Sequence, residues 1–172
     1  MKIKLYLDMD GVIADFDTAY QAIDAGASDN GRKFRKAVME YRIFRDLNFM
    51  SDAEQLLEHV KTLTDIDIEI LTSVGTFDPF VGDAVKKQKK NWLKEKNINY
   101  KPNFVRSKKE KAKYALQPVN MVPNILIDDS PGCIDPFNAA GGRGILHTSA
   151  STTIPLLDQT ILQVREIYNG LR

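Results

Sequence analysis

The sequence is poor in the residues that carry redox, thiol and imidazole chemistry: one cysteine, one tryptophan and two histidines in 172 residues. A lone thiol, Cys133, closes no internal disulfide, which excludes a disulfide-stapled scaffold and fits a reducing compartment. No histidine partner for it is visible, so Cys133 reads as buried filler rather than a nucleophile. His59 and His147 lack metal-ligand spacing and are assigned no role. No apolar run approaches the roughly 18 residues of a membrane span, so no membrane partner is expected. Met1-Lys2-Ile3-Lys4 leads directly into a strand-like run, with no secretory pattern, and the expected location is the cytoplasm. Internal repeats, low-complexity tracts and interdomain linkers are also missing, so one domain with a small insertion is expected. Nothing in the sequence sets an oligomeric state.

Neither sign of charge dominates: 24 basic and 23 acidic side chains leave a formal charge of +1. Their distribution is uneven. Twelve of the 24 basic residues, eleven lysines and Arg106, lie between Lys86 and Lys113, where the only acids are Glu95 and Glu110. Asp8, Asp10, Asp15, Asp17, Asp24 and Asp29 crowd the first thirty positions. The basic segment reads as a solvated helix face or as an attractor of a phosphorylated ligand, including nucleic acid.

Short apolar runs punctuated by turn signals have the form of central parallel strands: Ile3 to Leu7, Ile66 to Leu71 and Asn124 to Ile127, with weaker runs at Asn103 to Val105 and Gly144 to Leu146. Helical periodicity lies between them. Ala53, Leu56, Leu57, Val60 and Leu63 share a face; Val81, Val85, Gln88 and Trp92 recur at about four, with Trp92 facing the core; Ile154 to Leu171 alternates steps of three and four. Ser107-Lys108-Lys109-Glu110 has the form of a capping box opening a helix through Ala115. Strands alternating with helices predict an α/β, Rossmann-like three-layer core around a parallel sheet of about five strands. Between Phe16 and Met50 no strand is visible. Two helical stretches, about 17–26 and 32–45, joined by a turn at Ser28 to Lys33, are expected to form a small helical cap over the site. The core is then 1–16 with 51–172, and the cap 17–50.

Three strand-like runs end in polar groups: Asp8 with Asp10, Thr72 with Ser73, and Asp128 with Asp129. In an open parallel sheet ligands bind beyond the carboxyl ends of the strands, so these residues are expected around one crevice. Clustered carboxylates resist ionisation and desolvation. A hard divalent cation with oxygen ligands offsets that, and Mg²⁺, which combines one or two carboxylates with a substrate phosphate, suits the set. Each pair taken alone is also compatible with an ordinary cap or turn.

"DMDG" behind an apolar strand, "LTS", a lysine within "SKKEKAKYA" and "ILIDD" occur in the order of the four motifs of the haloacid dehalogenase-like hydrolase superfamily, which the chain resembles from about Lys2 to His147. "DMDGVIADF", "FRDL" and "LIDDS" resemble more narrowly its 5'(3')-deoxyribonucleotidase and phage-type 5'-nucleotidase branch. The resemblance implies a Mg²⁺-dependent phosphomonoesterase. Asp8 would attack phosphorus to give an aspartyl-phosphate; Asp10 would protonate the leaving alcohol and then activate water, and is expected to be partly protonated beside Asp8. Mg²⁺ would bind Asp8, the backbone carbonyl of Asp10 and an acid of Asp128/Asp129. Thr72 and Ser73 would hold the phosphoryl oxygens, and Lys111, or alternatively Lys108, would neutralise their charge. Phe16 and Phe44 would line a base pocket, with Arg45 either contacting substrate or solvated. A (deoxy)nucleoside monophosphate is the implied substrate; another small phosphoester, a 3'-phosphorylated DNA end, and a non-catalytic phosphate- or metal-binding domain are the alternatives.

Overall fold

Every apolar run becomes a strand. In the computed structural model, which describes residues 2–23 and 29–170, these are β1 (Ile3–Leu7), β2 (Ile66–Ser73), β3 (Lys101–Val105), β4 (Ile125–Asp128) and β5 (Arg143–Leu146). They form one parallel sheet in the order β3-β2-β1-β4-β5. Period-two alternation gives each strand two apolar faces. One face, with Leu5, Leu7, Ile66, Ile70, Ile125 and Ile127, packs against α3 (Ala53–Thr62), α4 (Pro79–Glu95) and α6 (Ala150–Gly170). The other, with Tyr6, Leu71 and Leu126, is covered by Cys133, Ile134 and Phe137 of α5 (Pro131–Ala139) and by Ala115 and Tyr114 beside a 3₁₀ segment, Lys108–Tyr114. Leu5, Leu7 and Ile70 are wholly buried, each a burial of about 1.5–3 kcal/mol. The three-layer α/β arrangement is the one the sequence predicts.

The segment between β1 and α3 is helical, with different boundaries from those expected. α1 runs Phe16–Gln21 and α2 runs Asn30–Met39. Residues 24–26 of the first expected helix, and Ser28 of the expected turn, lie outside the described residues. Asn30 to Lys33 are helical rather than a turn, because the Asp29 carboxylate accepts from Gly31 N at 2.8 Å and caps α2 two residues earlier than expected. The second helix does not reach residue 45. It ends at Met39, Arg42 takes a left-handed conformation at φ 52°, and Ile43–Arg45 form a separate 3₁₀ turn. Arg45 is solvated, its guanidinium 2.9 Å from Asp46.

This segment is built onto the core at both ends. Asp15 N donates to Asn48 O and Met50 N to Ile13 O, so its two ends meet beside the β1 loop. Helix α4 holds its middle: Gln88 accepts from Phe44 N and donates to Val38 O, and buried Trp92 donates to Leu47 O at 2.8 Å. The α4 stripe is Val81, Val85, Lys89 and Trp92; Gln88, expected on it, is half-buried and occupied with these cap contacts. The capping box also forms differently. Glu110 accepts from Arg106 N at 2.8 Å rather than from Ser107, Ser107 makes no side-chain cap, and the segment winds as 3₁₀ rather than α. No helix among the described residues is long and apolar enough to cross a membrane.

Candidate active site

Strand register brings the acids together. Leu7 of β1 lies opposite Ile127 of β4, so the next residues, Asp8 and Asp128, emerge side by side at the sheet's carboxyl edge. Beyond Asp8, Ile13 N and Ala14 N both donate to Met9 O, curling the chain into a tight loop. That loop needs Gly11. Its φ is +76°, and a Cβ there would stand 2.2 Å from Asp129 Oδ2. We expect Gly11→Ala to push Asp129 aside, costing about 1–3 kcal/mol in thermal unfolding and weakening divalent-cation binding by about tenfold or more in calorimetric titration. Unchanged cation affinity would remove Asp129 from the site.

Asp8, Asp128 and Asp129 each offer one carboxylate oxygen, all within 4.8 Å of one another. The buried ammonium of Lys111 bridges two of them, 2.6 Å from Asp128 Oδ2 and 2.9 Å from Asp8 Oδ1. The first contact is a hydrogen bond. The second is close but off hydrogen-bond alignment, so Asp8 Oδ1 is buried with no hydrogen-bond partner. Asp128 is completed by Ser130 N, which donates to Oδ1 at 2.9 Å. Lys108, the alternative lysine, is exposed and donates instead to Ser130 Oγ.

The charges are unbalanced. Burial, then Asp8 and Asp128, push the Asp129 carboxyl up to about 6. Burial and then Asp8 raise Asp128, against the pull of Lys111. Burial disfavours the Lys111 ammonium, but Asp8 and Asp128 more than offset this and hold it above the usual lysine range. Three acids share one lysine, and Asp8 Oδ1 lacks a hydrogen-bond partner; this donor set fits a divalent cation. The Asp10 side chain stands apart from this set. It is bound to Lys89, whose Nζ lies 2.7 Å from Asp10 Oδ2. Burial raises the Asp10 carboxyl, Lys89 opposes the rise, and Asp8 adds to it.

A cavity of about 480 Å³ opens over these groups, lined by Asp8, Asp10, Ser73, Lys111, Asp128 and Asp129 from the core and by Phe16, Asp17, Phe34 and Phe44 from the helical insertion. Thr72 is not among its lining residues. It is fully buried, and its hydroxyl accepts from Lys89 Nζ at 2.8 Å. Ser73 reaches the cavity, its hydroxyl accepting from Gly75 N at 3.0 Å. Phe16 and Phe44 do not face each other across a gap. Phe16 stacks on Phe44 at 5.1 Å and on Tyr20 at 5.1 Å, so its ring faces are already covered. The open aromatic is Phe77, 73% exposed at the cavity's edge. Cys133 lines the floor, buried, with its thiol pushed up to about 12 by burial. His147 is buried against Thr153, and His59 pairs with Asp158 on the surface.

Several residues of the site escaped the sequence reading, Lys89, Phe77, Phe34 and Asp17 among them. The signal for Lys89 was its step: positions 81, 85, 89 and 92 form an apolar helical stripe with one charge in it. Phe77 carried no periodic signal because it sits in a loop.

No protein-family model and no curated protein matches the sequence. Among solved structures, a hydrolase from Streptococcus pneumoniae TIGR4 is similar at a TM-score of 0.54 and 16% identity, over 91% of this chain and 98% of its own. A haloacid dehalogenase-like family hydrolase from Streptococcus pneumoniae is similar at a TM-score of 0.50 and 14% identity, over 83% of each chain. At these identities the likeness is one of fold.

Proposed function

We propose that the chain is a haloacid dehalogenase-like phosphomonoesterase that works through an aspartyl-phosphate on Asp8, requires Mg²⁺, and acts on (deoxy)nucleoside monophosphates. The observation that carries this reading is the convergence of Asp8, Asp128, Asp129 and Lys111 at one strand edge, beneath a cavity wide enough for a nucleotide. A phosphomonoester dianion repels an approaching carboxylate. Lys111 lowers that repulsion at the Asp8 oxygen it touches and holds it for attack. Asp8, Asp128 and Asp129, with the backbone carbonyl of Asp10, would hold Mg²⁺, which would neutralise the charge that keeps Asp8 and the phosphate apart.

As Asp8 Oδ attacks phosphorus, the P–O bond to the leaving alcohol breaks and Asp10 gives that oxygen its proton. Asp10 then takes a proton from water as the water oxygen bonds phosphorus and the bond to Asp8 breaks. Ser73 and adjacent backbone N–H groups face the phosphoryl oxygens, while buried Thr72 acts through Lys89. The insertion, residues 17–50, serves as a fixed cap that keeps the site dry. A base reaches the ring edges of Phe16 and Phe44 and the open face of Phe77, where aromatic stacking contributes about 1–3 kcal/mol.

The test is a panel of mononucleotides, sugar phosphates and phosphorylated oligonucleotides, assayed with Mg²⁺ and with chelator. Mononucleotides should show the highest kcat/KM, and chelator should remove turnover. Failure to hydrolyse any phosphomonoester in Mg²⁺ would end the proposal. Arg106 and Lys108 at the cavity mouth favour a second reading, a 3'-phosphorylated DNA end. In that case oligonucleotide turnover leads the panel and falls steeply with salt as counterions are released.

A further inference from the structure

Helix α4 carries a lysine where its apolar stripe calls for a leucine or methionine. Lys89 is fully buried between Val85 and Trp92. An ammonium taken out of water is costly unless every proton is met and its charge is paired. Here all three protons are met: by Asp10 Oδ2 at 2.7 Å, Thr72 Oγ1 at 2.8 Å and Ser73 O at 2.9 Å. The charge also lies 4.8 Å from the centroid of the Phe44 ring. Replacing such a pair by packed apolar side chains is often neutral or stabilising, so the pair is not explained by stability.

What the pair does is orient. It binds one oxygen of Asp10 and leaves the other, Oδ1, buried with no hydrogen-bond partner, on a residue that lines the cavity. One ammonium thereby joins the β1 loop, the end of β2 and the cap. We propose that Lys89 is a positioning residue for the reaction: its three hydrogen bonds fix Asp10 with Oδ1 presented to the leaving-group oxygen and then to the attacking water, and set that orientation against Ser73 and Phe44. The inference rests on the proposed reading of Asp10 as the acid and base.

The same lysine explains Thr72. Its hydroxyl serves the second strand end by holding Lys89, and the neighbouring carbonyl of Ser73 fixes the chain at the point where it turns into the cavity. Without Lys89, Asp10 has no cation within ion-pair distance among the described residues, and its carboxylate is free to rotate away from the reacting oxygens.

The test compares Lys89→Met, Asp10→Asn and the double variant, using p-nitrophenyl phosphate and an alkyl phosphate in Mg²⁺. A nitrophenolate leaves without a proton, whereas an alkoxide needs one. In Lys89→Met we expect alkyl phosphate kcat to fall about 30-fold or more, with KM changed less than threefold. Nitrophenol should appear as a rapid burst of one equivalent followed by slow turnover, because hydrolysis of the intermediate still needs Asp10. A merely structural role would shrink the burst and lower both substrates alike. The double variant should be no slower than Asp10→Asn, since Lys89 acts through Asp10; multiplying losses would overturn the proposal. So would wild-type rates in Lys89→Met beside a slow Asp10→Asn. Wild-type rates in Asp10→Asn would instead overturn the acid/base reading itself. If Lys89→Met does not fold, Lys89→Gln, which keeps two donors, and the double variant, which removes the buried pair whole, give the same comparison.

Discussion

Asp8→Asn should lower phosphomonoester turnover by about 10⁴-fold or more while leaving the fold intact. The nucleophile is lost, yet the substitution is nearly isosteric and removes one of three crowded negative charges. Asp128 and Asp129 are both raised in part by Asp8, so its neutralisation relieves them. Lys111 keeps Asp128 as a partner at 2.6 Å. The thermal midpoint is therefore expected to hold or rise, while affinity for Mg²⁺ falls because one ligand has lost its charge. Differential scanning calorimetry beside a phosphatase assay separates these effects. A folded Asp8→Asn protein with more than about one per cent of wild-type turnover rules out a covalent intermediate on this residue.

Lys111→Met carries the second large effect, on stability as well as rate. Removing the ammonium leaves Asp8 and Asp128 buried and facing each other without compensation. Breaking a buried pair from one side costs about 3–5 kcal/mol, which for a chain of this size is about 10 °C in the thermal midpoint. Turnover should fall by about 10²–10³-fold from loss of the charge that faces the phosphoryl oxygens. Mg²⁺ should restore part of the stability, since it neutralises the same carboxylates, but not the rate.

The pH dependence has a definite sign. Asp129 moves from 3.8 to about 6 on folding. Between those values the folded chain holds a proton that the unfolded chain has released. This carboxyl therefore weakens the cation-free fold above pH 6, and its penalty fades as the pH falls towards 4. Removing Lys111 should steepen that dependence through Asp128. A Lys111→Met variant as stable as wild type at pH 7 without Mg²⁺ would show that the bridge does not balance the cluster.

The positions of the acids were readable because the relevant order is local. Each strand is a short apolar run, and each acid is the residue at which that run stops. In a parallel sheet those stops fall at one edge, so alternation and connection handedness bring Asp8, Asp128 and Asp129 together before any coordinate is known. Lys111 came through the resemblance, as one of two candidate lysines within "SKKEKAKYA". The helical insertion was visible as a stretch with no strand, but its ends were set by Asp29 capping α2 early and by Arg42 turning left-handed. Such single-residue events decide boundaries and leave no periodic trace.

What the chain alone determined is therefore the sheet, its layers and the row of acids along its edge, because these follow from which residues avoid water over a few consecutive positions. Tertiary structure alone decided how the groups pair. The periodic stripe placed Gln88 inward; that position 89 lies there instead, its ammonium on Asp10, Thr72 and Ser73, is decided by the packed structure. The resemblance implies that Phe16 and Phe44 line a pocket, but not that Tyr20, Phe16 and Phe44 stack into one column and leave Phe77 open. Buried charges and rings are satisfied by partners tens of residues away, and their geometry exists only once the whole core has packed.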